Sequence, residues 1–430
     1  MTAGTKTITV PLGSNGKRIV LKHEELLFLH ELTIHRTLQV RDVYDFFRNV
    51  FRIAPHTKSI AKRLGRLVSA GILMRMEERV NPTNLKTYYY KIGKRGLEAL
   101  HKSNLISRDD AERLYQQIFY LKIPKSHTMA ASHLANQTKV LGLSEDLALE
   151  HNRGIDDPEL KKKGNVLISD WVFKRRNRTV FLEVDSGRQT LEVISSKVER
   201  YIHFAETVNE NVVLVFSVMD DTVSKSFTSD RSKRIASLKE NMSPCQNWPK
   251  NFSIYVITAE RTPELILRIL KRSEPLSQEF RGYVIDEWIE QLKGRTKGKF
   301  EIQDLAKETA YGSDRVKELE ADFTLQLNEA TRTRYIALIY AEEGNVQTYQ
   351  RIRYNHHRTK GTLIHGQRLD ELIMVYKDKD FMSSEVHGVF WENSWYTFRD
   401  TWRLSEDQIG SYPEMLKPIS QFRREWNRFE

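Results

Sequence analysis

Of the 430 residues, one is cysteine, Cys245. A lone thiol excludes a disulfide framework and a cysteine-based zinc finger, and it suits a reducing cytoplasm. The 11 prolines and 20 glycines are too few for long disordered or collagen-like stretches. The longest mostly apolar run, Val212–Met219, falls far short of the roughly 20 residues that cross a bilayer, so no membrane role is expected. The opening MTAGTKTITV lacks the charged start and apolar run of a secretory signal. What remains is a globular profile, 40% apolar and 29% charged, long enough for about three domains.

The positive charge is lopsided. Residues 1–103 hold 19 Lys and Arg against 8 Asp and Glu, a balance of +11 that equals the formal charge of the whole chain. The rest is neutral. A polyanion should therefore meet the first quarter of the chain first, and nucleic acid fits better than a lipid surface, since no basic helix there has a bulky apolar face.

That quarter predicts a winged helix-turn-helix. His23–Leu32 and Val40–Phe47 carry apolar residues at helical spacing. Ala54-Pro55 marks a turn, and a third helix runs from about Lys58 to Ala70. Ile60, Leu64, Leu67 and Val68 form its apolar side. Lys58, Ser59, Lys62, Arg63 and Arg66 form the other, and Gly71 closes it. The period then changes to two: Ile72–Val80 and Leu85–Ile92 predict a hairpin turning at Asn81-Pro82-Thr83-Asn84. In this order the basic helix enters a major groove, and Lys86, Lys91, Lys94 and Arg95 on or beside the hairpin reach phosphates. The competing reading is a cap domain whose basic face is simply solvated.

The central segment predicts helices at Ser107–Tyr120 and Ser126–Val140, then strands at Leu147–Asn152, Val166–Phe173 and Thr179–Asp185. A helix at Thr190–Val208, a strand at Asn211–Val218, a helix near Arg231–Glu240 and a strand at Ser253–Thr258 follow. Asp170, Glu183 and Asp185 fall on neighbouring strands, and residues two apart on a strand share a face. Three carboxylates on one face ask for a cation, and oxygen ligands suit Mg²⁺ or Mn²⁺. Such an ion would activate water on a phosphodiester. The plainer alternative pairs Glu183 and Asp185 with Arg188 or Lys197 as an edge ion network, makes Tyr201 core, and lets Asp170 end a strand.

The stretches SDWVF, FLEVDSGRQT and KVERY resemble the replication-relaxation proteins of bacterial plasmids and mobile elements, and His133, Leu134 and Asn136 in SHLANQTKV are similar too. The resemblance covers about Leu21–Thr258. It implies an α/β multidomain protein in which a winged helix precedes a core related to the PD-(D/E)xK nucleases, with a mixed sheet. It places Asp170 at the motif's first acid and Glu183 at its second. Asp185 stands where the family pattern has lysine, and Ser169 where it has proline. Lys197 and Tyr201, one helical turn apart, fall where some relatives carry a helical Gln or Lys and a Tyr. The resemblance implies a DNA-associated protein acting in replication, mobilisation or copy control. Its core is either a silent scaffold or a Mg²⁺-dependent endonuclease with Asp170, Glu183, Asp185, Lys197 and Tyr201 as catalytic residues and the three acids as metal ligands.

The last third is read as a separate α+β domain. Lys271–Leu276 predicts a linker, Val284–Gln291 a helix, Asp304–Asn328 a long helix and Arg334–Tyr340 a strand. Thr348–Arg358 mixes aromatic, histidine and basic residues, a composition that stacks on bases or tracks a backbone. His356 and His357 are adjacent and diverge on any regular element, so they make poor co-ligands. Aromatics between Phe390 and Trp402 predict a small apolar core.

The expected organisation is 1–104 winged helix, 105–272 nuclease-like core, and 273–430 a domain for oligomerisation, partner binding or extra DNA contact. The expected partner is double-stranded DNA, with a homodimer or replication and mobilisation proteins alongside. A transcriptional regulator is the further alternative.

Overall fold

The computed structural model describes the chain apart from residues 1–6, 13–16, 51–55, 81–84, 124–125, 158–166, 220–230, 243, 273–277, 297–300, 313–315, 329–330, 360–367, 387–393, 399–416 and 419–430. The Ala54-Pro55 turn, the hairpin tip at Asn81–Asn84 and Phe390, Trp391 and Trp402 of the late aromatic cluster lie outside the described residues. The fold is α/β with mixed sheets. It divides into two compact units, Met1–Val184 with Asp221–Lys225 and Thr262–Leu270, and the remainder.

The first unit opens with the antiparallel pair β1 (Ile8–Leu12) and β2 (Lys17–Leu21). Then come α1 (His23–His35), the short β3 (Leu38–Gln39), α2 (Val40–Asp45) running into a wide π turn at Phe46–Val50, and α3 (Thr57–Ser69). The hairpin β4 (Leu73–Val80) and β5 (Leu85–Ile92) follows in full antiparallel register, and β3 pairs with β5. One apolar core joins Leu26, Phe28 and Leu32 of α1 to Ile60, Leu64 and Leu67 of α3 and to Tyr90 and Ile92 of β5. Each fully buried aliphatic side chain there contributes about 1.5–3 kcal/mol.

The turn between α3 and β4 and the start of α4 (Lys94–Lys102) are pressed backbone to backbone. Gly71 has φ +69°, and the Gly93 N–H donates to Ile72 O. A Cβ on Gly93 would lie 2.3 Å from Gly71 O, so only glycine fits.

Next are α5 (Arg108–Phe119), capped by the Ser107 hydroxyl, and the 19-residue α6 (Ser126–Ser144). Strands β6 (Glu150–Arg153), β7 (Trp171–Lys174) and β8 (Arg178–Asp185) form an antiparallel meander. Every residue of β8 is buried, the polar Arg178, Thr179, Glu183 and Asp185 included.

The second unit contains α7 (Leu191–Glu206), β9 (Asn211–Val218), α8 (Arg231–Asn241) and β10 (Phe252–Thr258), with β9 and β10 parallel. Helix α9 (Thr262–Lys271) returns to the first unit. The chain continues with α10 (Gln278–Thr296), β11 (Glu301–Asp304), α11 (Lys307–Tyr311), β12 (Phe323–Asn328), β13 (Thr333–Ala341), α12 (Val346–Thr359), β14 (Glu371–Tyr376), α13 (Lys379–Ser383), β15 (Ser394–Phe398) and β16 (Lys417–Pro418). Strands β11 to β16 form one sheet in chain order, with β13, β14 and β15 mutually parallel. Alternate residues of β13 face opposite ways. Ile336, Leu338 and Tyr340 pack with Val284, Ile285 and Trp288 of α10. Ala337, Ile339 and Ala341 pack with Tyr349 and Ile352 of α12.

Two expectations for this region fail. Asp304–Asn328 is not a long helix: β11 ends at Asp304, Gly312 at φ +63° ends the short α11, and Phe323–Asn328 pairs on both sides as a strand. Sheet pairing overrides the helix-forming composition. Thr348–Arg358 lies inside α12 with Tyr349, Arg351, Asn355, His356 and Arg358 buried, so it offers no stacking platform. His356 is buried while His357 is exposed, the divergence expected of neighbours on a helix.

Candidate nucleic-acid interface

Helix α3 divides its residues cleanly. Ile60, Leu64 and Leu67 are buried, while Lys58, Ser59, Lys62 and Arg66 are exposed. Lys58, Lys62 and Arg66 recur every four residues and so line up along one side. Beside them Ala61, Gly65 and Ser69 are also exposed. Small side chains between cations let a groove wall approach the helix closely.

Arg63 departs from the expected set. Its guanidinium grips Glu25 of α1, with Nε to Oε1 at 2.6 Å and Nη2 to Oε2 at 2.7 Å, and Nη2 also donates to Val20 O. Glu25 in turn accepts the Lys22 N–H at the start of α1. Arg63 therefore ties α3 to α1 and β2.

Lys91 is likewise misplaced by the sequence reading. It is buried, and its Nζ donates to Ile118 O, Phe119 O and Leu121 O at the end of α5. A cation at a helix C-terminus meets the unpaired carbonyls and the negative end of the dipole. Burial pushes the Lys91 ammonium below its ordinary value. Arg95 is half-buried and donates to Ala70 O at the end of α3. Lys94 is exposed, and Lys86 is exposed and paired with Glu77 at 2.9 Å.

The central acids are each engaged by the protein. Asp170 stands one residue before β7. Its Oδ2 accepts the Val184 N–H at 2.8 Å, and its Oδ1 lies 2.9 Å from His127 Nε2. Glu183 is buried on β8. In the second unit, Asp185 forms a two-pronged pair with Arg234, Nε to Oδ2 at 2.7 Å and Nη2 to Oδ1 at 3.0 Å, and also accepts the Gly187 N–H. The partner of Asp185 is thus Arg234. Lys197 is half-buried on α7, and Tyr201, one turn on, is fully buried. Asp170 and Asp185 already have positive or hydrogen-bonding partners on both oxygens, so they do not present an open set of hard-cation ligands.

One buried cluster escaped the sequence reading. Among the described residues, Glu31, His35 and His151 are the one group of three metal-ligating side chains with ligand atoms within 4.8 Å of one another. Its hydrogen bonds identify it. Trp171 Nε1 donates to His151 Nδ1 at 3.1 Å. An indole N–H can only donate, so Nδ1 accepts, and Nε2 of the neutral ring carries the proton facing Glu31 Oε2 at 2.7 Å. Ligation through Nε2 would need that lone pair and would set an Nδ1 proton against the indole proton.

Lys139 Nζ, 3.4 Å from Glu31 Oε1, supplies a positive charge already. The arrangement is a hydrogen-bonded network across α1, α6, β6 and β7. Burial alone would raise the Glu31 carboxyl, but the hydrogen bond from His151 and the charge of Lys139 hold it well below the usual range. Burial pushes His35 down to about 3. His35 Nδ1 meets Ser132 Oγ at 2.9 Å, and its Nε2 has no hydrogen-bond partner. The histidine and glutamate of this network lie 120 residues apart in the chain, and no spacing rule joins them. Similarly, His133 and Asn136 of α6 both bond to Asp42 of α2.

No curated protein and no solved structure matches the chain. The family model described as replication-relaxation matches residues 26–214, from within α1 to within β9. The stretch it spans includes the basic helix, the buried network and the acidic strands, and over residues 26–214 the chain is similar to the replication-relaxation family.

Proposed function

We propose that this protein holds duplex DNA and serves the replication or mobilisation of a plasmid or another mobile element. The observation that carries the reading is the exposed row Lys58, Lys62 and Arg66 on a helix whose opposite side is sealed in the core. The order α1, β3, α2, α3, β4, β5 is that of a winged helix-turn-helix. In that arrangement α3 enters the major groove and the β4–β5 hairpin follows the backbone. Lys94 and Lys86 extend the phosphate contact, whereas Arg63, Lys91 and Arg95 serve the scaffold. The excess positive charge of the first 103 residues steers the polyanion to this face.

The order from α6 to β9, helix, three strands, helix, strand, agrees with a PD-(D/E)xK-like core. In this reading the core makes contacts and does not cleave. Its acids are the expected Mg²⁺ ligands, yet Asp170 is hydrogen-bonded to His127 and the Val184 N–H, and Asp185 is paired with Arg234. The residues present do not fit an open Mg²⁺ site, and no catalytic step is assigned to them. A cytoplasmic protein acting alone, as a dimer or with replication or mobilisation proteins is compatible with this role.

Two measurements test it. Fluorescence anisotropy with a labelled duplex should show binding by the wild type and at least tenfold weaker binding by the triple variant Lys58→Gln, Lys62→Gln, Arg66→Gln. Plasmid incubated with Mg²⁺ or Mn²⁺ should stay supercoiled with both the wild type and Glu183→Ala. Metal-dependent nicking lost in Glu183→Ala would replace the scaffold reading by an endonuclease.

A further inference from the structure

The last domain repeats the central one element by element. From α6 the chain runs helix, three strands, helix, strand, helix, strand (α6, β6, β7, β8, α7, β9, α8, β10). From α10 it runs in the same order if the short α11 between the first two strands is set aside (α10, β11, β12, β13, α12, β14, α13, β15). The leading helices α6 and α10 are both 19 residues long. In each series the first three strands form an antiparallel meander. The last two strands of each are parallel and flank a helix. Beyond the end of β9, the Met219 N–H donates to Asp185 O at the end of β8. In the later series β14 lies beside β13, parallel to it.

Matching order alone is common among α/β domains, but the match reaches single atoms. Asp170 stands one residue before β7, and Asp322 one residue before β12. The registers Trp171 opposite Leu182 and Phe323 opposite Leu338 place each aspartate at the same offset from its neighbouring strand. Asp170 Oδ2 accepts the Val184 N–H at 2.8 Å, and Asp322 Oδ2 accepts the Tyr340 N–H at 2.7 Å. In both cases the donor is the second residue after the register partner, Val184 after Leu182 and Tyr340 after Leu338.

We propose that residues 278–398 are a second copy of the central core whose acidic site has been replaced by packing, so that this domain is a scaffold without divalent-cation chemistry. The equivalence sets Asp322 on Asp170, Ile339 on Glu183 and Ala341 on Asp185. Ile339 and Ala341 are fully buried against Tyr349 and Ile352 of α12. The one acid retained, Asp322, is paired with the buried Arg351 at 2.9 Å, and Arg351 also donates to Glu320 O. A guanidinium and two apolar side chains thus stand where the first core has its acids. The repeat is invisible in the sequence because what is preserved is a strand register and one backbone clamp, while the side chains have diverged. The inference does not depend on DNA binding by α3.

Amide hydrogen exchange on the full chain tests both halves of the proposal. Asp322→Ala should accelerate exchange at Tyr340 at least tenfold and leave Val184 unchanged, and Asp170→Ala should do the reverse. Asp322→Asn keeps an acceptor oxygen and should retain protection at Tyr340, which separates loss of the bond from general unfolding. Addition of 10 mM Mg²⁺ should leave protection of the segment 320–341 unchanged. A Tyr340 amide insensitive to Asp322→Ala would remove the shared clamp and with it the duplication. Mg²⁺-dependent protection of 320–341 that Asp322→Asn abolishes would overturn the scaffold assignment.

Discussion

Arg63 and Glu25 are joined by two short hydrogen bonds, 2.6 Å and 2.7 Å, between α3 and α1. The sequence pattern puts Arg63 among the DNA contacts because it sits on the polar side of a basic helix. The pair changes what its removal should do. Arg63→Ala strands a carboxylate that is 5% exposed, and leaving a buried charged acceptor without its partner costs about 1–3 kcal/mol. Urea denaturation should show this loss, and Glu25→Gln, Arg63→Ala should lose less than the two single changes combined. A fully stable Arg63→Ala would refute the structural role.

Lys91 carries a similar consequence. Its ammonium holds three carbonyls that close α5. Lys91→Met should lower stability by about 1–3 kcal/mol and change DNA affinity less than twofold. A large drop in affinity with unchanged stability would return Lys91 to the phosphate-binding set.

Acid should weaken the first unit through His35. Its pKa in the folded chain is about 3, against an ordinary value of 6.5. Between these values the unfolded chain binds a proton that the folded chain does not. The stability is therefore complete above pH 6.5 and is lost as the pH falls towards 3. Glu31, Lys139, Arg153 and His151 face this ring. Comparison between pH 7 and pH 5 stays above the range where Glu31 titrates. Over that window the wild type should lose on the order of 2 kcal/mol through this group, and His35→Gln should lose measurably less. Equal pH profiles would contradict the assignment.

The network of Glu31, His35 and His151 should not bind a transition metal, since the Trp171 indole fixes the wrong tautomer of His151. Adding Co²⁺ to the full chain should give no visible ligand-field absorption that His35→Gln removes. Trp171→Phe, which frees His151 Nδ1, is the variant in which such binding should first emerge. Tight Co²⁺ binding by the wild type, lost in His35→Gln, would overturn the hydrogen-bond argument.

Much of the fold was legible in local pattern. The apolar positions of α3, the switch to period two after Gly71 and the buried run of β9 all follow from side-chain spacing. What the sequence hid depended on distant partners. Arg63 and Lys91 look like surface cations until Glu25 and the end of α5 are placed beside them. Asp185 looks like a metal ligand until Arg234, 49 residues later, takes both its oxygens. Strand β12 looks helical by composition because its pairing with β11 and β13 is a tertiary fact. The resemblance in FLEVDSG located the acidic strands but not the distant side chains that bond to Asp170 and Asp185.

The salt dependence of duplex binding tests the central claim most directly. Removing one cation that touches a phosphate lowers the slope of log K against log salt by about 1. The triple variant Lys58→Gln, Lys62→Gln, Arg66→Gln should therefore bind with a slope shallower by about 3 than the wild type, with its urea midpoint unchanged. A variant that binds duplex with the wild-type affinity and slope would contradict the account.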